Sequence, residues 1–206
     1  PTDGIILEVC CGSPESVLTA ARCGVRRVEL CTGLSEGGVT PAGSLITCAV
    51  NAGIERVHVL IRPRGGDFVY SEAETETMLQ DIDEASAHGA HGVVIGALTP
   101  DGDVDMDVCR RLVERARKHD LTITFHRAID MSRDLEKAVD DIVSLGCDII
   151  LTSGGAPSAE AGIESLRRLH ERAAGRVLIM AGCGVNGGNA GRILKGSHAD
   201  QIHASA

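Results

Sequence analysis

Short runs rich in β-branched residues recur along the whole chain and constrain its fold more than any other feature. The eight runs are residues 5–10, 27–31, 56–62, 92–96, 121–126, 148–152, 176–181 and 201–205. Their starts lie 22 to 36 residues apart, which is the size of a repeated strand-plus-helix unit. Segments with apolar residues at helical spacing separate them, as at Met78, Ile82 and Ala85. The sequence therefore predicts eight strands that alternate with helices.

Eight such units favour an α/β fold of the TIM type, a (β/α)8 barrel formed by one domain over residues 1–206. An open doubly wound sheet shares this linear pattern, and the count of eight favours the barrel. Since Phe68, Tyr70 and Phe125 are the only aromatic residues, the core must be aliphatic, as in buried parallel sheets. The eighth outer helix is absent from this chain. We expect that the sequence is incomplete or that a partner covers the outer face of the first and last strands.

Charge and hydropathy exclude several kinds of partner. The net charge is −9 and no run of basic residues is present, which argues against binding to nucleic acid. No apolar segment approaches the roughly 20 residues that span a bilayer, and residues 1–4 do not resemble a signal peptide. The eight cysteines include no CxxC spacing, and we interpret them as reduced thiols. We therefore expect a soluble cytoplasmic protein that binds neither nucleic acid nor membrane.

Alternation along the predicted strands assigns each side chain to the inside or the outside of the barrel. It directs Glu8, Glu29, Arg62, His126 and His203 inward, near the C-terminal strand ends where barrel enzymes carry their active sites. Buried charges are expensive unless they are paired or hydrated. We interpret Glu8, Glu29, Arg62 and His126 as candidate catalytic residues. The alternative is a self-satisfied polar network that only fills the barrel.

Glycine-rich turns follow four of the predicted strands, at residues 33–38, 62–67, 153–155 and 182–184. Glycine allows backbone amides to approach an anion, and the loops after strands seven and eight bind phosphate in many barrels. The candidate anion-binding residues are Arg64, Ser153, Gly182, Gly184 and Ser205. The alternative is that these glycines serve turn geometry alone.

Cys10 and Cys31 share inward parity on adjacent predicted strands, so their sulfur atoms can lie close together, whereas Cys11 should point away from Cys10. Two thiolates suit a soft ion such as Cu(I), while hard ions prefer carboxylates. The alternative is that both cysteines are small, semi-buried residues without a ligand. Cys10 and Cys31 are therefore candidate metal ligands.

Several motifs taken together resemble one known family. Their residues are Glu8-Val9-Cys10, 29–38, 62–68, Gly96-Ala97-Leu98-Thr99, 124–130 and Leu151-Thr152-Ser153-Gly154. This set resembles the CutC family, called copper homeostasis proteins, and the match runs almost from end to end of the chain. The resemblance is more specific than any single motif.

The resemblance implies a cytoplasmic TIM-type barrel that forms homo-oligomers, is linked to copper tolerance and in some members binds Cu(I). The cysteines of two family motifs carry over to Cys10 and Cys31. No agreed enzymatic reaction comes with the family, so membership specifies the fold better than the function. Two departures stand out. Family members usually extend past the last strand, and they more often have glycine or another small residue where this chain has Cys183.

Three functions are compatible with these observations. The first is a copper homeostasis protein that binds Cu(I) through Cys10 and Cys31, with no organic cofactor. The second is an uncharacterised barrel enzyme acting on a small anionic or phosphorylated metabolite. In that enzyme Arg62 and the Gly182 turn would hold the anion, and Glu8, Glu29 and His126 would transfer protons. The third is a structural or partner-binding barrel.

Overall fold

The computed structural model describes residues 4–205, which form a closed barrel of eight parallel strands. Neighbouring strands follow one another in chain order, and the barrel closes where β8 pairs with β1. The strands are β1 (Ile6–Cys11), β2 (Arg27–Leu30), β3 (Arg56–Leu60), β4 (Gly92–Ile95), β5 (Thr122–Phe125), β6 (Ile149–Thr152), β7 (Leu178–Ala181) and β8 (Gln201–Ser205). The TIM-type barrel predicted from the sequence is confirmed.

Each of the first seven strands is followed by an α-helix on the outside of the barrel. The helices are α1 (Pro14–Arg22), α2 (Gly43–Asn51), α3 (Glu72–Ala87), α4 (Met106–Arg117), α5 (Leu135–Leu145), α6 (Ile163–Ala173) and α7 (Ala190–Ser197). At the start of α3 the Glu74 amide donates to the Ser71 hydroxyl, and the Ser71 amide donates to the Glu74 carboxylate. This reciprocal capping satisfies two amides that the first helical turn leaves free.

An aliphatic core fills the space between the strands and the helices. The outward side chains of the strands, such as Val28, Val57 and Ile123, have no solvent exposure. They pack against the inner faces of helices, including Met78 and Ile82 of α3 and their counterparts on the other helices. Burial of each large aliphatic side chain contributes about 1.5–3 kcal/mol relative to exposure. This layer stabilises the barrel independently of what its interior contains.

The barrel interior has two chemically different sides. The charged side, on β1, β2 and β8, consists of the buried residues Glu8, Arg27, Glu29 and His203. The apolar side, on β6 and β7, consists of Ile149, Leu151 and Met180. The barrel can therefore close around apolar side chains alone, and the buried charges on the other side need partners that offset their loss of hydration.

The outer face of β1 carries an exposed apolar side chain. Leu7 points outward there and is 41% exposed, opposite Ile202 of β8. None of the helices within residues 4–205 has the length and apolarity needed to cross a bilayer.

Candidate functional site

Two cysteine side chains meet inside the barrel near the C-terminal ends of β1 and β2. The Sγ atoms of Cys10 and Cys31 lie 3.3 Å apart, and both residues are buried against Leu60 and Val94. Cys31 continues the β2 ladder, because its amide donates to the carbonyl of Cys11. Cys11 itself points outward into the aliphatic core. The parity prediction for these three cysteines is thus matched by their positions.

The contact between the two thiols separates their acidities. The hydrogen bond with Cys31, together with burial and the nearby Glu29 carboxyl, raises the pKa of Cys10 far above its usual range. The same hydrogen bond lowers the pKa of Cys31, although burial opposes this. Cys31 is therefore the sulfur that ionises first, with Cys10 as its hydrogen-bond donor. The thiolate is the form of cysteine that binds metals and acts as a nucleophile, so Cys31 is the more reactive sulfur of the pair.

A carboxyl group and an imidazole complete a cluster around Cys10. Ligand atoms of Cys10, Glu29 and His203 all lie within 4.8 Å of one another, and the three residues are buried. Burial raises the pKa of Glu29 to about 7, with the Glu8 charge adding to the rise and His203 opposing it. Glu29 therefore exchanges its proton near neutral pH. The cluster holds sulfur, nitrogen and oxygen donors within reach of one ion.

Glu8 is the hub of the charged side, and its side chain has no solvent exposure. Its Oε2 lies 2.8 Å from Arg27 Nε and 3.3 Å from His58 Nδ1, while His203 Nδ1 lies 2.9 Å from Oε1. Burial opposes ionisation of Glu8, but the hydrogen bonds from His203 and His58 lower its pKa below the usual range. The buried carboxylate is therefore charged and has three partners.

His203 links this hub to the thiol pair. An ionised carboxylate can only accept, so Nδ1 of His203 carries the proton that is donated to Glu8. Burial alone would lower the pKa of His203, but Glu8 and Glu29 raise it. A histidine whose Nδ1–H is held by a carboxylate is oriented to bind a metal through Nε2, as in many metalloproteins. Cys10, Glu29 and His203 are thus the residues whose donor atoms lie close enough together to hold one metal ion, and Cys31 adds a second sulfur next to Cys10.

Arg62 and Arg64 lie in the loop after β3 and organise that loop rather than joining the charged side. The guanidinium of Arg62 donates to the carbonyls of Glu36, Gly38 and Gly66 and lies 5.0 Å from the Phe68 ring centroid. Arg62 makes no ion pair with Glu8 or Glu29 among residues 4–205, and the cationic partner of Glu8 is Arg27 instead. Parity predicts one cluster of inward charges, but the structure has two groups: the charged side around Glu8 and the loop contacts of Arg62.

Arg64 is bound in the same loop. Its guanidinium forms a salt bridge with Glu74 at 2.5 Å and donates to the carbonyls of Asp67 and Val69. These contacts tie the loop to the start of α3. The Arg64 donors that we expected to bind an anion therefore bind the carboxylate and carbonyl groups of the protein instead.

His126 lies at the mouth of the barrel, on the β5 side, apart from the thiol pair. Its Nδ1 accepts from the Ala128 amide at 3.1 Å, so the proton of the neutral ring is on Nε2. Burial and the nearby Arg62 charge lower the pKa of His126 to about 3. The ring packs against Gly96, which directly follows β4, and a Cβ atom at that position would come within 2.6 Å of the ring. His126 is therefore a neutral, packed histidine at physiological pH.

Comparison of the whole chain with known sequences identifies its family. The model of the CutC family matches residues 5–206. The chain belongs to the CutC family. A CutC family protein of Bacteroides fragilis is 48% identical over 202 residues, which are 98% of this chain and 80% of that protein. The human copper homeostasis protein cutC homolog is 45% identical over 204 residues, 99% of this chain and 74% of the human protein.

A solved structure gives the same assignment at the level of the fold. The structure from Streptococcus agalactiae that carries the name copper homeostasis protein CutC superposes with a TM-score of 0.91 at 31% identity. The match covers 97% of this chain and 98% of that chain. An aldolase superposes with a TM-score of 0.70 at 18% identity, which shows a shared barrel fold alone.

The remaining candidate anion-binding residues lie in the turns after β6, β7 and β8. Ser153 donates from its amide and hydroxyl to Asp130, and the Gly182 amide donates to the carbonyl of Thr152. The Gly184 carbonyl accepts from Asn189. Ser205 is exposed and lies opposite Cys10 in the β1–β8 ladder. The contacts of Ser153 and Gly182 are internal and shape the turns of this CutC-family barrel.

Two site features were not recognised in the sequence. Arg27, the partner of Glu8, lies two residues before Glu29, and its inward parity is a signal that could have placed it inside the barrel. Asp130 accepts from Ser153 and from the amide of Gly155, and no pattern in the sequence points to that contact. Cys183, which departs from the usual CutC turn, donates to the carbonyl of Pro157. Its sulfur therefore belongs to the β7 turn.

Proposed function

We propose that this protein handles copper by binding one Cu(I) ion between Cys10 and Cys31 inside the barrel. The observation that carries the proposal is the 3.3 Å separation of their sulfur atoms in a buried setting. Two soft donors on rigid strands select a soft ion, and a buried site protects Cu(I) from water and oxidants. The name of the human relative, a copper homeostasis protein, supports copper as the cargo.

His203 is the third donor in this proposal. Its Nδ1–H is fixed by Glu8, which leaves Nε2 as the ligand atom and raises its basicity. Arg27 holds Glu8 in place from the other direction. The charged side thus positions the imidazole that accompanies the two thiolates.

Glu29 gives the site a way to adjust its charge. With a pKa of about 7, it can stay protonated when two thiolates bring negative charge next to it. A carboxylate is a poor ligand for Cu(I) and a good one for harder ions. Glu29 therefore contributes to charge balance rather than to Cu(I) ligation.

The contacts of the barrel mouth favour copper over the anionic-metabolite alternative. The guanidinium groups of Arg62 and Arg64 are engaged by loop carbonyls and Glu74. An enzyme that binds a phosphorylated substrate needs charged donors that face the substrate. Binding of Cu(I) needs sulfur donors that face the ion, and Cys10 and Cys31 provide two of them side by side.

The test is an anaerobic competition between the protein and a chromogenic Cu(I) chelator. We expect about one Cu(I) per chain for the wild type and more than about 100-fold weaker binding for the Cys10→Ser, Cys31→Ser double variant. Loss of direct ligands should exceed the 10–100-fold effect of losing their supporting residues. Cys23→Ser, Cys183→Ser is the matched control, because it removes two thiols outside the site and should retain full affinity.

Two results would reject the copper proposal. One is wild-type protein that does not compete with the chelator, and the other is a double variant with unchanged affinity. Circular dichroism of every variant separates loss of a ligand from loss of the fold. The same competition with Zn²⁺, which also accepts cysteine and histidine ligands, should give weaker binding than with Cu(I). Tighter binding of Zn²⁺ would reassign the cargo.

We also propose that the protein acts in the cytoplasm as a homo-oligomer. Reduced thiols suit a reducing compartment, and all eight cysteines are free. The exposed Leu7 on the outer face of β1 offers apolar area for contact with a second copy. Light scattering should give a mass above 21.5 kDa, and a monomer at micromolar concentration would reject the oligomer.

A further inference from the structure

We propose that Cys10 and Cys31 are also a two-electron reductant that converts Cu(II) to Cu(I) and becomes a disulfide. The reduction goes beyond binding, and it rests on the proposed function only in taking copper as the metal. Formation of the disulfide is a property of the chain itself. The inference is carried by the position of the two thiols and by the kind of donors around them.

The two sulfur atoms are already near bonding distance. Their separation is 3.3 Å, and a disulfide bond of about 2.05 Å requires an approach of about 1.3 Å. In the β1–β2 register Cys10 lies opposite Glu29, and Cys31 lies two residues further along. Because Cys31 directly follows the last paired residue of β2, closing the bond combines side-chain rotation with a small movement of this end of the strand. A Cβ atom added at the neighbouring Gly38 would lie 3.7 Å from the Cys31 sulfur, so the glycine leaves that sulfur room to move.

The donor set around Cys10 suits both oxidation states of copper. Imidazole and carboxylate donors, here His203 and Glu29, suit Cu(II), whereas thiolates suit Cu(I). The donor atoms of His203 and Glu29 lie within 4.8 Å of the Cys10 sulfur, so the donors that suit Cu(II) are adjacent to one of the two thiols. Reduction moves the preference of the ion from the nitrogen and oxygen donors to sulfur. The site thus places the ligands of the reactant beside its reductant, and the Cu(I) produced leaves because the disulfide no longer offers thiolate ligands.

The reaction balances with two copper ions and two thiols. In total, two Cu(II) and two R–SH give one R–S–S–R, two Cu(I) and two protons, which leave to solvent. The first Cu(II) takes one electron from the ionised thiol pair, and the neighbouring sulfurs form a three-electron S–S bond. This radical anion passes its remaining electron to a second Cu(II), which completes the disulfide. The oxidant is Cu(II), and a cellular dithiol or glutathione restores the thiols.

The other cysteines do not share this arrangement. Cys109 donates to the carbonyl of Ala97 and Cys11 packs in the outer core. Cys23, Cys48 and Cys183 are partly or fully accessible to solvent and would reduce Cu(II) without forming the proposed disulfide. Their contribution has to be removed before the reaction of the buried pair is measured.

The experiment uses the background variant Cys23→Ser, Cys48→Ser, Cys183→Ser under anaerobic conditions. Cupric sulfate is added in excess, and a chelator specific for Cu(I) reports the product by absorbance. We expect about two Cu(I) per chain and, by mass spectrometry of unreduced peptides, a Cys10–Cys31 cross-link. Adding Cys10→Ser or Cys31→Ser to the background should remove the cross-link and reduce the Cu(I) yield to that of protein without the pair. Peptide mapping of the wild type provides the same readout if a variant does not fold.

The outcomes separate this inference from the proposed function. Cu(I) binding without a Cys10–Cys31 cross-link, or an unchanged Cu(I) yield in the single variants, overturns the reductant and leaves the binding proposal in place. Formation of the cross-link with two Cu(I) released and none retained supports the reductant and rejects stable Cu(I) storage. Treatment with dithiothreitol should then restore two thiols per chain. Failure to restore them would mean that copper oxidised the sulfurs beyond the disulfide, which also rejects the proposal.

Discussion

The charged side and the apolar side of the barrel interior solve the same packing problem in different ways. Ile149, Leu151 and Met180 fill their side with aliphatic and thioether groups that need no partners. On the opposite side, Glu8 needs Arg27 and His203 to offset the loss of water around its carboxylate. Apolar residues often replace such buried networks with little loss of stability. We interpret this difference as support for the proposed thiol site, because the charged side holds His203 next to Cys10.

Two buried histidines have pKa values that shift in opposite directions because their neighbours differ. His203 faces Glu8 and Glu29, which raise its pKa against the effect of burial. His126 is buried next to Arg62, and burial and that charge lower its pKa to about 3. His203 lies on β8, and His126 directly follows β5. Their neighbours, rather than their burial, decide which of them carries a proton.

The largest expected effect comes from breaking the hub of the charged side. Glu8→Leu leaves Arg27 buried without its carboxylate and should destabilise the fold by about 3–5 kcal/mol. Glu8→Leu combined with Arg27→Met should recover most of this loss, because an apolar pair replaces the ion pair. Urea unfolding at pH 7 measures both values, and Glu15→Leu on the exposed face of α1 is the control. A Glu8→Leu variant as stable as the wild type would show that the contact between Glu8 and Arg27 does not contribute to stability.

On the apolar side the expected loss is smaller and independent of copper. Leu151→Ala removes a side chain that is 4% exposed and should destabilise the protein by about 3 kcal/mol through the cavity that it leaves. Leu34→Ala, at a position 56% exposed, serves as the control and should have little effect. Cu(I) affinity should be equal in all three proteins. A lower Cu(I) affinity in Leu151→Ala would mean that packing on the apolar side affects metal binding on the charged side.

A third test compares the pH dependence of wild type and Glu29→Gln. Because the folded-state pKa of Glu29 is raised to about 7, folded wild type binds more protons than unfolded chain between pH 4.5 and 7. This contribution to stability is present below pH 4.5 and is lost as pH rises through 7. The variant should therefore gain up to about 3 kcal/mol relative to wild type between pH 4.5 and 8. A difference that stays constant with pH would contradict the raised pKa.

The smallest effect is expected at the border between the two sides. Met180 belongs to the apolar side, yet its sulfur accepts from Arg27 Nη2 at 3.2 Å. Met180→Leu conserves volume and should cost less than about 1.5 kcal/mol, with unchanged Cu(I) affinity. Thermal unfolding and chelator competition provide the two readouts. A larger loss would show that this sulfur is an essential partner of Arg27.

Much of the candidate site followed from strand parity. Parity placed Glu8, Glu29, Cys10, Cys31 and His203 inside the barrel, and the structure brings these residues together. It also placed Arg62 and His126 inside, but they lie beyond the last paired residues of β3 and β5. At those positions the guanidinium of Arg62 donates to loop carbonyls, and Nδ1 of His126 accepts from the Ala128 amide. Alternation predicts the direction of a side chain along a strand, but it does not predict which partners a side chain finds in the loops that follow.

By itself the sequence determined the repeated strand and helix units, the barrel that eight of them close, and the inward positions of the two cysteines. These properties depend on the local period of apolar residues and on strand alternation, which are readable along the chain. Only the tertiary structure decided that Arg27 partners Glu8, that Arg62 serves its own loop, and that two sulfurs lie 3.3 Å apart. Those contacts join residues distant in sequence, because strand register and barrel closure set their separations.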